Sequence, residues 1–473
     1  MPRSSFTLLV VLSAIAGCQP AAGRRGATVL FASGADLQSI NPLLTLHPLA
    51  RQVQRYVLFT TLARYDSALV PQPYLARSWD WSDDRRRLTL RLAPGVRWHD
   101  GVPTTAGDVR WTLDAARDPV VGYPRAAELS DLERVSAPDD STVTLEFRAP
   151  SSAFPDVLTD LAILPAHLLD TIPRTRLRQA AWNEVPVGNG PFRFVTHEPN
   201  RRWVFAANPD FPAALGGRPR LDRLVIVVVD EPATKLAALT AGELDFAGIQ
   251  PAHAQFVARD PQLAVLSYPL LLTYGIVLNT RRPPFTSLAA RRRLDAAVDR
   301  TAIVDGYLYG FGTPSTSPVP PEMPGYVPVA RGTAPSPDGA PLRFELLTVG
   351  SGEAPLEQMV QAQLRAAGMD LTIRQLELSA FLARVYGPAH DFEAAVLGVP
   401  GDAGLAYLGS LGMLAGVRLP ADPAAAQRMM ADSLPMVVLY HARGLQGMNR
   451  RVHGVRMDLR GELPTVHDWW VDQ

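Results

Sequence analysis

Residues Leu88-Thr89-Leu90-Arg91-Leu92 alternate apolar and polar side chains, the pattern of a strand buried on one face. Pro94-Gly95 turns the chain, Val96 to His99 returns as a second strand, and Asp100-Gly101 turns it again. Thr105 with Asp108 is a capping box that opens a helix through Trp111 and Leu113. A strand pattern recurs from Thr142 to Phe147, so Leu58 to Glu184 reads as a mixed unit of its own. The character then changes. Leu224 to Val229 is a continuous, largely β-branched run of the kind buried on both faces of a parallel sheet. A helix from Ala233 to Ala241, stopped by Gly242, and a short strand at Leu244-Asp245-Phe246 complete a βαβ unit. A second set follows: strand Leu342 to Val349, helix Pro355 to Ala367, strand Leu371 to Leu376, helix Phe381 to Tyr386 and strand Phe392 to Val399. Between the sets lie a helix from Ser287 to Val298 and a proline-rich passage, Thr313 to Pro328, that reads as an extended loop. The pattern predicts an α/β protein with two sheets separated by a hinge.

The amino terminus carries a different signal. Met1-Pro2-Arg3 is basic, Phe6 to Ile15 is apolar but too short to span a bilayer, and small residues precede Cys18, the only cysteine. Residues 1–18 therefore resemble a bacterial lipoprotein signal, cleaved before Cys18 and acylated on its thiol, with the rest of the chain outside the cytoplasm. Gln19 to Ala27, rich in Gly, Ala and Arg, reads as a flexible tether.

Composition narrows the function. The 473 residues are 47% hydrophobic, enough for two or three well-packed domains. Basic and acidic residues balance at 46 each, which argues against a dedicated nucleic-acid surface. Lys235 is the sole lysine, so a phosphate-loop or Schiff-base lysine is possible only there. Catalytic templates fail in turn. Gly188 to Arg193 and Gly310 to Ser315 lack the third glycine of a dinucleotide loop, no Gly-x-Ser-x-Gly elbow or His-Glu-x-x-His pair occurs, and His99-Asp100 sits at a turn. His390, His441, His453 and His467 are too scattered to form a metal site by spacing. The reading is of a protein that is not an enzyme and carries no cofactor.

The remaining motifs come in a recognisable order: Ser39-Ile40-Asn41-Pro42-Leu43, Pro73 to Trp79, Leu92 to Gly101, Thr105 to Val109, Gly188 to Phe192, Ala241 to Asp245, Leu278-Asn279-Thr280 with Pro284-Phe285, Ala297 to Arg300 and Pro318 to Gly325. This ordered set resembles the bacterial extracellular solute-binding proteins of family 5, the peptide- and nickel-binding proteins of ABC importers. The resemblance implies a two-lobed periplasmic-binding-protein-like fold of type II, with an extra subdomain in the first lobe. Mapped on this chain, lobe I is 28–57 with 185–267 and 448–473, the inserted subdomain is 58–184, and lobe II is 268–447. It also implies a monomer that takes a short peptide or similar small solute between its lobes and delivers it to ABC permease subunits.

Ligands of open α/β sheets bind beyond the carboxyl ends of the strands, which nominates Gly350 and Ser351 after one strand and Gly398 to Asp402 after another. Peptide-binding members of the family commonly place an aspartate after the latter strand, against the ligand's amino group; Asp402 occupies that place. Tyr274 and Asn279, on the segment crossing into lobe II, and Ser39 and Asn41, near the lobe interface, are further ligand-binding candidates. The chain departs from the family at its end, where only Gly404 to Ser433 separate Asp402 from Pro435 to Tyr440. Lobe II is shortened as a result. A chelated metal, haem or oligosaccharide ligand, a transporter-independent envelope sensor and an extracellular hydrolase are the alternatives.

Overall fold

The computed structural model describes residues 26–45, 47–151, 153–329 and 341–472; Cys18 and the signal segment lie outside them. Strand Leu263–Leu278 and strand Met436–Asn449, antiparallel to each other, run the length of the molecule and organise everything else. At one end Phe246–Gly248 pairs with Gln446 to Met448, and the sheet continues through Thr28–Ser33, Arg223–Val228, Arg202–Ala207 and Phe192–Glu198. At the other end Ala394–Pro400 pairs with Leu272 to Leu278, followed by Leu342–Val349 and Met369–Leu376. The two sheets expected from the pattern are therefore one eleven-stranded sheet, ten strands in a single hydrogen-bonded path and one beside it. The joint is marked by a register shift between Pro269 and Thr273. Proline has no N–H to donate, so the ladder is interrupted where the two halves meet.

The inserted unit is a four-stranded antiparallel sheet, Ala76–Trp81, Arg87–Leu92, Thr142–Phe147 and Leu132–Asp139, covered by helix Ala106–Arg117. Asp108 accepts the Thr105 backbone N–H at 2.8 Å, closing the capping box, while Val109, Leu113 and Ala116 bury their side chains. Val96 to His99 does not form the expected return strand. Trp98 donates its N–H to Val102 within the turn and His99 donates its own to Gly188, which leaves only a bridge between Arg97 and Pro103. In the proline-rich passage Gly312–Pro314 adds to Met436–Asn449 as a short edge strand, where a proline is tolerated. The strand expected at Leu244 to Phe246 begins at Phe246. Asp245, fully buried, instead accepts Leu30 N–H at 2.9 Å and both Arg451 Nε and Nη2 at 2.7 Å.

Apolar packing follows the two halves. In the first, Phe31, Phe246 and Trp469 stack with ring centroids 5.4 and 4.8 Å apart, so the C-terminal segment closes over the sheet. In the second, Leu397, Leu408, Leu411 and Met430 form a cluster that also takes in Leu69 from the inserted unit and Leu459 from the C-terminal segment. Leu69 reaches it from a turn in which it adopts φ +56°, held by Asp66, which accepts the Ala68 and Val70 N–H groups. Trp469 is buried to 0% exposure. Replacing it by Ala is expected to cost about 3–5 kcal/mol of unfolding free energy, read by urea denaturation; a loss below about 1 kcal/mol would show that the segment packs only loosely.

Candidate functional site: a charged cleft between the halves

Helix Pro48–Val53 starts from His47, whose Nδ1 accepts the Ala50 N–H, and passes into a wider turn, Gln54–Leu58, closed by the Phe59 N–H on the Gln54 carbonyl. Arg51 and Arg55, four residues apart, project from one face. Both reach Asp160 of the inserted unit at 2.6 Å, and Arg125 pairs with the same carboxylate. The Asp160 side chain is only 9% exposed. Burial pushes its carboxyl up, but Arg55, Arg51 and Arg125 together outweigh burial and bring it down to about 2. Arg51 Nε, Arg55 Nε and Arg64 Nε remain buried without a hydrogen-bond partner. Arg125 is shared with Glu128, and Arg460, which also lines the cleft, pairs with Asp458 at 2.6 Å.

Asp156 and Asp402 bring negative charge to the same open cleft, of about 290 Å³. Asp402 follows strand Ala394–Pro400, whose pairing is extended by Gly401 N–H on the Leu271 carbonyl. Its two oxygens accept the N–H groups of Ala406 and Tyr407 at 2.9 Å, holding the start of helix Tyr407–Ala415. Asp156 bonds the Tyr65 hydroxyl. A Cβ at Gly404 would stand 3.0 Å from Asp156 Oδ2 and 3.5 Å from Asp402 Oδ1, so two carboxylates distant in sequence meet around a glycine. Burial raises the Asp156 carboxyl above its ordinary range, and the Asp402 charge adds to the rise. Strand Leu342–Val349 bridges Ala394–Pro400 only at Ala394 and Ala395, so from Val396 to Pro400 one edge has no strand beside it among the described residues.

Of the sequence candidates, Asp402 and its neighbour Gly401 line this cleft. Tyr274 stacks on Tyr440 at 5.1 Å and packs against Gly398. Asn279 is buried; its Nδ2 donates to the His390 and Phe392 carbonyls at 3.0 Å and its Oδ1 accepts from Arg281, so it is consumed by the core. Asn41 donates to Asn183 and accepts the Leu43 N–H, while Ser39 accepts the Asn41 N–H, which makes that loop a turn packed on the inserted unit. Gly350 and Ser351 are exposed beyond Leu342–Val349 and line no part of the cleft. His99 is a packing residue, its Nε2 3.0 Å from the Gly190 carbonyl and burial holding its imidazole down at about 4. Arg51, Arg55, Arg125, Asp156 and Asp160 were not singled out by sequence. Among the described residues no group of three or more His, Cys, Asp or Glu could hold a metal ion, and no helix is long and apolar enough to cross a membrane.

Residues 70–410 match the family model described as bacterial extracellular solute-binding proteins, family 5 Middle. A putative ABC transporter peptide-binding protein of Brucella ovis is 32% identical over 242 residues, 51% of this chain and 45% of that protein, so the chain matches about half the length of this relative. Di/tripeptide-binding protein 2 of Pseudomonas aeruginosa is 26% identical over 430 residues, 82% of this chain and 79% of its own. The oligopeptide-binding protein AppA of Bacillus subtilis, solved with a nonapeptide, superposes with a TM-score of 0.74 at 22% identity, covering 95% of this chain and 99% of that one. The fold is the two-lobed periplasmic-binding one.

Because the folded Asp160 carboxyl lies below its unfolded value of 3.8, its contribution is present above that value and is lost as pH falls through about 2. Unfolding free energies measured between roughly pH 4 and pH 2 should fall by about 2 kcal/mol more in the wild type than in Asp160→Asn. Parallel profiles would contradict the arginine cluster.

Proposed function

The chain belongs to the bacterial extracellular solute-binding proteins of family 5, and from that premise we propose that it captures short peptides in the cleft between its lobes. The observation that carries this reading is the presence of both signs of charge in one cleft, Asp402 and Asp156 together with Arg51, Arg55, Arg125 and Arg460. A peptide with free termini is a zwitterion and matches both. The unpaired edge at Val396 to Pro400 ends at Asp402 and offers main-chain hydrogen bonds to an extended ligand, as in strand addition to a sheet edge. Side-chain tolerance then comes from water-filled space around the ligand.

Lobe I is taken as 28–57, 185–267 and 448–473, the insertion as 58–184 and lobe II as 268–447. Closure is a hinge motion at the interrupted ladder near Pro269, stabilised by a ligand that touches both lobes. The closed monomer presents its ligand to the permease subunits of an ABC importer. Acylation of Cys18 tethers it to the membrane on the extracytoplasmic side.

Removing the Asp402 charge deletes one charge-assisted contact to a ligand ammonium, worth about 1.5–3 kcal/mol, or roughly ten- to hundredfold in affinity. Isothermal titration should show Asp402→Asn weakening a peptide with a free amino terminus by that factor, and its N-acetylated counterpart far less. Equal losses for both would remove Asp402 from the binding role.

A further inference from the structure

Beside Gln52 lies a second, open chamber of about 430 Å³, which shares Pro48 and Gln52 with the first. Successive residues of the crossing strand divide between the two: Leu271 faces the charged cleft and Leu270 the second chamber. Ala32, Leu49 and Leu270 give this chamber apolar walls, and Gln446 and Glu462 also line it. Tyr268 donates its hydroxyl to Glu462 Oε1 at 2.8 Å and Gln446 donates Nε2 to the same oxygen at 3.0 Å. These bonds fix the amide, since its nitrogen must face the carboxylate. Gln446 Oε1 is thereby left as a buried acceptor with no partner, on a side chain only 5% exposed. Glu462 is itself held in place by its backbone: its N–H and that of Leu463 donate to Gln52 Oε1 at 2.6 and 2.9 Å. Gly461, at φ +118°, allows that approach, because a Cβ there would lie 2.3 Å from Gln52 Oε1.

A buried carbonyl without a donor and a carboxylate without a cation are both costly unless a ligand supplies the missing group. Burial raises the Glu462 carboxyl, and among the described residues no arginine or lysine pairs with it. Lys235 also borders the chamber, but its Nζ lies beside Gly34, 3.5 Å from where a Cβ would stand, and makes no ion pair with Glu462. We infer that this chamber receives a basic side chain of the bound peptide, of lysine or arginine type. Its methylene stem lies against Leu49 and Leu270, and its charged head donates to Gln446 Oε1 and Glu462. The inference rests on the peptide reading above and deepens it into a preference for basic residues at one ligand position.

The test is isothermal titration of the protein with tripeptides that differ only by lysine against norleucine, which has the same stem and no charge, scanned through each position. At one position the lysine peptide should bind roughly tenfold or more tightly. Glu462→Gln and Gln446→Leu should each shrink that ratio, with thermal unfolding midpoints confirming that the variants are folded. The wild-type ratio decides the matter even where a variant fails to fold. Equal affinities at every position, with binding retained, overturn the basic-side-chain assignment and leave the peptide reading standing. Absence of binding by any tripeptide overturns the peptide reading and this inference with it.

Discussion

Two long antiparallel strands, Leu263–Leu278 and Met436–Asn449, are the constraint on which the rest depends. They belong to both halves at once, so each lobe builds its sheet outward from the same pair. A continuous ladder would make the molecule rigid from end to end. The shift between Pro269 and Thr273 instead concentrates the irregularity at the level of the cleft. His441 and Thr273 bond to each other at 2.9 Å beside this break, and Thr273 donates to the Pro318 carbonyl, so the joint is held by side chains where the ladder is not.

The charged cleft shows how the same joint is put to use. Bringing Asp160 out of water is costly, and three guanidiniums repay that cost in a geometry where each oxygen of the carboxylate is engaged. The result is a wall of fixed positive charge in which Arg51, Arg55 and Arg125 outnumber the one carboxylate they share. In the same cleft Asp402 is oriented by two backbone N–H groups, and Asp156 by Tyr65. Charges fixed before a ligand arrives need little reorganisation on binding, which favours affinity for a zwitterion. Leu69 and Leu459 join the cluster of Leu397, Leu408, Leu411 and Met430, so segments distant in sequence are coupled by burial as well as by charge.

Much of the fold is legible in the sequence where local pattern and local chemistry agree. Thr142–Phe147 and Leu342–Val349 sit at the residues their apolar patterns mark, and the helix behind Thr105 begins at its cap. What local pattern cannot show is who pairs with whom: the continuity of the sheet through Leu263–Leu278, or the edge strand Gly312–Pro314. Of the residues lining the charged cleft, Asp402 was nominated through resemblance. Asn41 and Asn279 were misleading because asparagine amides are as readily spent on neighbouring backbone as on ligands. The arginine wall gave no signal, since arginine supplies every cation of this chain except Lys235 and so stands out nowhere. Its logic lies in the meeting of Arg51 and Arg55 with Asp160, far apart in sequence and joined only by the fold.

The central claim is that the cleft between the lobes holds a peptide. Native mass spectrometry of the protein purified from its own cell envelope without refolding tests it most directly. The account predicts retained masses that resolve into short peptides and disappear on partial unfolding. An empty protein that also gains no thermal stability from any member of a peptide library would contradict it.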